Sequence, residues 1–396
     1  MSREAILTVN TGSSSIKLAA YEASGDRLGA RLLKASLSGL PNTRQFAAET
    51  EDGTVEALPE GVEAAGKARG DLVAALASWA ADTLEEVEIR AVGHRVVHGG
   101  QDFTGPVLSD AGVVDRLGKL SVLAPSHQPE NLAGVEGISR LWPDMPQTLS
   151  FDTAFHRTQP RMAQFYAIPR KLSEEGLLRF GFHGLSYAHI AELLGEVLPV
   201  ESRGKVVVAH LGSGASLCAI QDGRSVATSM GLTALDGIPM ATRPGSVDPG
   251  LLLHLIKDRG MSVDEVSGML YGKSGLLGLS GISGDVRKLL ASDDPAASEA
   301  LVVYAYRIAR EIASLAGALQ GLDALVFTGG VGENSWQIRQ SVCAQLGWLG
   351  ADLDRAANEA GKTFVQSPAS RLRILVIPAD EEVVIAREVL KVLSTS

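Results

Sequence analysis

Apolar runs and amphipathic stretches alternate along this chain, and their periods predict its elements. Short runs rich in β-branched and aliphatic residues predict strands at residues 6–9, 17–22, 91–97, 147–151, 205–210, 216–221, 324–328 and 373–377. Apolar positions spaced by three and four predict helices at 71–83, 187–198, 248–259, 296–319, 335–346 and 381–393. Strands and helices interleave, so the fold class is α/β. Residues 40–69 are rich in Gly, Glu, Ala and Thr without a clear period, and are read as a peripheral insertion on the first domain.

One pattern occurs twice. ILTVNTGSSSIKLAAYE from Ile6 and VVVAHLGSGASLCAIQ from Val206 each pass from an apolar run through a Gly-Ser cluster into a second apolar run. Asn10 aligns with His210 and Gly12 with Gly212, about half the chain apart. A strand, a tight turn and a returning strand present backbone N–H groups that suit a phosphate oxygen, and two such turns could grip one polyphosphate from opposite sides. Gly-Ser turns also occur in β proteins that bind nothing, so the repeat alone leaves both readings open.

A third glycine site, LVFTGGVGENS, runs a strand into Gly329, Gly330 and Gly332. Glu333, Asn334 and Ser335 are expected to open the following helix, with Asn334 or Ser335 as N-cap. The spacing matches neither the dinucleotide-binding nor the Walker fingerprint, and no protein-kinase motif set is present. A nucleotide site with duplicated hairpin domains then points to the ribonuclease-H-like architecture of actin, Hsp70 and sugar kinases. Between the glycine sites, Arg95, Asp152, His183 and Arg243 each stand at a predicted element end or in a turn, where a scaffold holds a side chain while leaving it reach.

Length and charge narrow the reading. At 396 residues the chain fits two domains, expected at 1–150 plus about 382–396, and at 151–381. The net charge of −10 comes with no basic run, which argues against a nucleic-acid or membrane partner. Cys218 and Cys343 are too few for a disulfide framework or a cysteine zinc site and suit a reducing compartment. A strand within five residues of the N-terminus and the lack of a long apolar run give neither signal peptide nor membrane span, so a cytoplasmic location is expected. His94 and His98 tempt a metal reading, but i and i+4 on a strand stand about 13 Å apart, too far for one ion. A hard Mg²⁺ ion on oxygens such as Asn10 and a carboxylate is the better expectation if phosphate is bound.

Nine ordered segments carry a resemblance: NTGSSSIK (10–17), GHRVVHGG (93–100), LAPSHQPEN (123–131), FDTAFH (151–156), GFHGLSY (181–187), AHLGSGAS (209–216), ISGDVR (282–287), GGVGENS (329–335) and PADEE (378–382). In order and spacing they resemble the acetate kinase family over nearly the whole chain. The resemblance implies two duplicated ribonuclease-H-like domains with an interdomain active-site cleft, a homodimer, and a phosphotransferase with a carboxyl acceptor. The implied reaction is reversible transfer of the ATP γ-phosphoryl to acetate, giving acetyl phosphate and ADP, with Mg²⁺ as the metal and Mn²⁺ able to substitute. It implies catalytic roles for Asp152, His183 and Arg243, and substrate contacts from Arg95, Val97 and Phe182. Asn10 and Glu381 match the metal positions, and Lys17 a nucleotide phosphate position. The nucleotide loops match His210, Leu211, Gly212, Ser213 and Gly214, then Asp285, Val286 and Arg287, then Gly330, Val331, Gly332, Glu333 and Asn334. Because a carboxylate acceptor needs no base, Asp152 is assigned to orienting Arg95 or the metal shell.

The chain also departs from the family pattern. Ser213 stands where HLGNG has an amide, so weaker nucleotide contact is expected. Ser126 and Ala234 replace a leucine and a proline near the acyl pocket and leave it roomier; acetate remains the first choice, with propionate tolerated. MATRPGSVDP replaces MGTRSGDIDP around Arg243, and GFHGLSY replaces GFHGTSH around His183. The rival readings are a propionate-preferring kinase, an actin-like or Hsp70-like ATPase, and a sugar kinase with Asp152 as base.

Overall fold

The computed structural model describes residues 3–12, 14–40, 42–51, 53–200 and 203–395. It divides into two compact units, Met1–Phe155 with Asp380–Ser396, and His156–Ala379. Asp152 and Glu381, which the expected boundaries assign to the second domain, both belong to unit 1. The reason is local: the strand ending at Phe151 pairs inside the first sheet, and the C-terminal helix packs on that sheet.

Unit 1 is built on β1 (Arg3–Thr11), β2 (Ser15–Ser24), β3 (Arg27–Ser38), β4 (Gln45–Thr50), β5 (Gly53–Val55), β6 (Val87–Val96), β7 (Val107–Leu108) and β8 (Gln147–Phe151), in the sheet order β5-β4-β3-β2-β1-β6-β8-β7. Strands β1, β2 and β3 form an antiparallel meander, and β6 and β8 add in parallel. The period of two divides β1 between faces. Ala5, Leu7 and Val9 pack under the helices Arg69–Thr83 and Gln128–Leu141, while Ile6 faces the helix Glu381–Leu393. Thr8 and Asn10 share the parity of Ile6, so β1 ends with a polar side chain on the face of the C-terminal helix. That helix lies close because Gly93 of β6 has no side chain; a Cβ there would stand 2.6 Å from both Ile385 and Val389.

Residues 40–69 are more than a peripheral insertion. They supply β4 and β5 and the helix Glu60–Ala64, and Phe46 and Val62 enter the core, Phe46 meeting Trp79 edge-to-face at 5.0 Å. The segment is too short in each element for a period to register.

Unit 2 repeats the arrangement with β9 (Lys205–Leu211), β10 (Ala215–Gln221), β11 (Arg224–Thr228), β12 (Ala324–Thr328) and β13 (Arg373–Val376), ordered β11-β10-β9-β12-β13. The core order is thus the same in both units: an antiparallel meander on one side of a central strand, two parallel strands on the other. This is the ribonuclease-H-like arrangement. The helix Pro295–Leu319 packs on β9, β10 and β11, and the helix Gly184–Val197 on β9. No helix among the described residues is long and apolar enough to cross a membrane.

Glycines set the helix crossing in unit 1. A Cβ on Gly137 would stand 2.2 Å from the Gly70 carbonyl oxygen, and one on Gly70 2.6 Å from that of Ala133. Gly137→Ala is therefore expected to destabilise the protein by about 1–3 kcal/mol, since backbone cannot yield as a side chain does. Gly317→Ala, in open space on the helix Pro295–Leu319, is the control and is expected to stabilise by about 0.5–1 kcal/mol. Denaturant unfolding of the two variants measures both.

Candidate active site

In unit 1 the polar ends of β1, β6, β8 and the C-terminal helix meet. Arg95, next to last in β6, forks Asp152 with Nε to Oδ1 at 2.9 Å and Nη2 to Oδ2 at 2.6 Å, and donates from Nη1 to Asn10 Oδ1 at 3.1 Å. Asn10 in turn donates to Glu381 Oε2 at 2.8 Å and to Glu382 Oε1 at 2.9 Å. Glu381 Oε2 is 3.8 Å from Arg95 Nε. Burial works against the Arg95 charge, and the carboxylates of Asp152 and Glu381 overcome it, so its pKa is raised. Three carboxylates surround one guanidinium, an excess of negative charge in a largely dry site.

Four of the expected residues thus form one network: Asn10, Arg95, Asp152 and Glu381. Lys17 pairs directly opposite Asn10 in the β1–β2 register but is exposed. Val97 is buried, its N–H held by Asn131 Oδ1 at 3.0 Å. Ser126 is exposed. Sequence reading missed Glu382, which follows a matched glutamate and is buried against Asn10. It also missed Gln128 and Asn131, one helical turn apart on Gln128–Leu141. Gln128 brackets the His98 backbone by N–H and carbonyl, and Asn131 ties Val97 to the Thr11 carbonyl at 2.6 Å. The Q-x-x-N spacing at a helix start was the available signal. His94 and His98 are both buried, and burial lowers His94 to about 4, a neutral packing residue.

In unit 2 the same strand ends carry different chemistry. His210 on β9 and Ser216 on β10 are register partners, and both face the start of the helix Gly184–Val197. His210 Nδ1 meets Ser186 Oγ at 2.9 Å, and His183 Nδ1 meets Ser216 Oγ at 2.8 Å. The His183 and His210 rings stack 4.4 Å apart. His183 holds a left-handed backbone, φ 57°, at the helix start, which is strained for a residue with a side chain. His156 steadies this bend by donating from Nε2 to the Phe182 carbonyl at 2.9 Å; its Nδ1 takes the Ser225 hydroxyl, and burial lowers its pKa to about 4. Phe182 itself is buried.

Arg243 lies against the turn between β9 and β10. A Cβ on Gly214 would stand 2.6 Å from Arg243 Nη2 and 3.4 Å from His183 Nε2, so only glycine lets both donors approach the backbone. Arg243 Nη1 donates to the Ala234 carbonyl at 2.8 Å, and no carboxylate pairs with it among the described residues. Burial lowers its pKa to about 10, which leaves it cationic at neutral pH. A partly buried guanidinium without a carboxylate is suited to an anion.

The glycine turns differ from expectation in one respect. Gly12 N–H closes its own turn on Ser15 O at 2.7 Å, and Gly212 N–H closes on Gly214 O at 3.1 Å, so neither leading N–H is offered to a ligand. Ser13 lies outside the described residues. The third glycine site also folds differently: Gly329–Asn334 is itself a short helix that starts directly after β12, rather than a loop before one. The pattern concealed it because glycine is a poor helix former. Ser335 does precede the next helix, Trp336–Ala344, but its side chain caps nothing.

A cavity of about 880 Å³ in unit 2 is lined by Gly212, Ser213, Asp285, Val286, Arg287, Gly330, Val331 and Asn334 among others, which brings the three expected loops together. Leu211 and Gly332 are buried behind it, and Glu333 turns inward to accept the N–H groups of Gly329 and Ala379. Asp285 caps its helix and pairs with the exposed Arg287 at 2.7 Å, which lowers the Asp285 pKa. Arg339 props this loop from beneath. Fully buried, it donates to the carbonyls of Gly332, Glu333 and Asn358 and to Asn358 Oδ1. Arg339→Met leaves those acceptors unpaired and is expected to cost about 3 kcal/mol or more in denaturant unfolding. Arg339→Lys is expected to recover only part of this, because one ammonium cannot span the fork.

The chain matches the model of the acetokinase family over residues 5–387. It is 47% identical over 393 residues to the acetate kinase of Rhodopseudomonas palustris, covering 98% of each. It is 47% identical over 394 residues to that of Rhizobium meliloti, covering 99% of each. Among solved structures, it resembles a propionate kinase from Francisella tularensis with a TM-score of 0.86 and 36% identity, covering 98% of this chain and 99% of that one. Against an acetate kinase from Porphyromonas gingivalis the TM-score is 0.81 and the identity 33%, covering 98% and 100%. With full-length similarity and the same duplicated sheet order, the chain belongs to the acetokinase family, kinases whose phosphoryl acceptor is a carboxylate.

Proposed function

We propose that this chain transfers the γ-phosphoryl of ATP to acetate, reversibly and by direct in-line displacement, giving acetyl phosphate and ADP. The observation that carries the reading is Arg243, a partly buried cation with no carboxylate partner among the described residues, beside His183 and a turn kept bare by Gly214. An acetate oxygen forms the new bond to the γ-phosphorus as the bond to the β–γ bridging oxygen breaks, and ADP leaves with the electron pair. No proton moves, because acetate is already ionised at neutral pH. Arg243 and His183 neutralise and hydrogen-bond the phosphoryl oxygens, where catalysis is mostly positioning and charge stabilisation. The cavity of about 880 Å³ is of a size for the nucleotide.

Arg95 is assigned to the acetate carboxylate, with Val97 and Phe182 as apolar walls and Lys17 to a nucleotide phosphate. Asp152 orients Arg95, a role supported by their two-point pairing. The donor set of unit 1 fits a hard divalent cation: Asn10 Oδ1 and Glu381 are oxygen ligands, and Asp152, Glu381 and Glu382 outnumber the one guanidinium. Asn10 and Glu381 would hold Mg²⁺, which when bound offsets phosphate charge. A homodimer belongs to the same reading; the helix Pro249–Lys257 buries none of its residues and exposes Leu251 and Leu253.

Purified protein with Mg-ATP, acetate and hydroxylamine is expected to form acetyl hydroxamate, and Arg243→Ala to abolish it. No hydroxamate from acetate or propionate would reject the reading. The same assay ranks the two acids, and kcat/KM is expected to favour acetate within the range one methylene allows, about 1–3 kcal/mol.

Asp152→Asn separates orientation from base catalysis. Loss of the fork is expected to lower kcat/KM for acetate about 10²-fold, the scale of a misplaced binding group. The deficit should be constant from pH 6 to 9; a general base would instead impose an acidic limb that the variant removes.

A further inference from the structure

Three side chains that the proposed reaction does not use directly form a line behind His183. Ser216 Oγ lies 2.8 Å from His183 Nδ1 and 2.6 Å from the Tyr187 hydroxyl, and both Ser216 and Tyr187 are fully buried. Tyr187 is one turn into the helix that His183 begins, so the same helix start aims both groups at β10. The ring of His156 packs against the edge of Tyr187 at 5.5 Å.

We propose that Tyr187 is a positioning residue which, through Ser216, fixes His183 as the neutral Nε2–H tautomer. The inference rests on His183 being a donor to the transferred phosphoryl. A phenol is a stronger acid and a weaker acceptor than an alkyl hydroxyl, so in the short Tyr187–Ser216 contact the tyrosine donates. Ser216 has one proton; with Tyr187 donating, His183 Nδ1 is the partner left for it, whereas accepting a second time from Nδ1–H would leave that proton buried and unpaired. Nδ1 is then an acceptor, and the ring's own proton sits on Nε2. Nε2 is the atom that faces the space over Gly214, alongside Arg243 Nη2.

The other titratable groups around His183 point the same way. His210 stacks on its ring with Nδ1 engaged by Ser186, and Arg243 faces it across Gly214 with Tyr271 beside the guanidinium. A second cation next to Arg243 is disfavoured, so the donor must come from a neutral ring whose tautomer is set. Without Tyr187, Ser216 can turn its oxygen to accept from Nδ1–H, which leaves a lone pair on Nε2 facing the phosphoryl oxygens.

Nitrogen-15 NMR of histidine-labelled protein at pH 8 tests this without reference to activity. His183 is expected to show a protonated Nε2 and an unprotonated Nδ1, and Tyr187→Phe to show a mixture of tautomers. In kinetics, Tyr187→Phe is expected to lower kcat about 3- to 10-fold at pH 8, the scale of one neutral hydrogen bond, with nucleotide KM unchanged. Ser216→Ala gives the same deficit by a second route. An Nδ1–H tautomer in the wild-type protein, or a Tyr187→Phe variant that keeps the Nε2–H tautomer unmixed, overturns the proposal. Should Arg243→Ala retain full hydroxamate formation, the functional reading fails while the tautomer measurement still stands on its own.

Discussion

Each unit is organised around a central strand buried on both faces, and such a strand cannot end inside the protein without giving its last polar side chain partners. Asn10, next to last in β1, is 4% exposed, and its amide is spent on two glutamates while its oxygen takes Arg95. An unpaired amide there would cost more than any of these bonds returns. The requirement recruits the C-terminal helix, and through Arg95 it recruits Asp152. His210, next to last in β9 at the aligned position, recruits Ser186, while its strand partner Ser216 takes His183. The same constraint, met twice on the same sheet order, builds two unlike clusters.

The clusters differ in the sign of what they lack. Unit 1 gathers three carboxylates around one guanidinium, so it is short of positive charge. Unit 2 places a guanidinium against a bare turn with only a backbone carbonyl to accept from it, so it is short of negative charge. Each cluster taken by itself therefore suits a ligand of opposite sign, a cation in unit 1 and an anion in unit 2. Glycine makes the second cluster accessible, since any side chain at 214 would occupy the space where Arg243 and His183 both point.

The backbone around these groups is held by side chains that touch no expected ligand. Gln128 and Asn131 pin the end of β6 to the end of β1, His156 pins the bend before His183, and Arg339 pins the short helix after β12. In each case a buried polar side chain bonds main-chain atoms at the end of a strand or short helix, or in a bend, where the regular ladder stops. These bonds also explain how a left-handed histidine is tolerated: the structure around it over-determines the strained conformation.

The sequence by itself determined the α/β alternation, the duplicated strand-turn-strand, the glycine sites and most residues of both clusters, because those signals are local. A period of two or 3.6 and a glycine run are properties of neighbouring residues. It missed β3, the strands and helix within 40–69, and the helical state of Gly329–Asn334, since short or glycine-rich elements carry too little period to read. Only the tertiary structure decided which groups meet. The Asn10–Glu381 bond joins residues 371 apart in the chain, Arg95 reaches Asn10 over 85 and Asp152 over 57. No local pattern encodes such pairings; they follow from sheet order and from the face on which each side chain emerges, and those are set by packing of the whole unit.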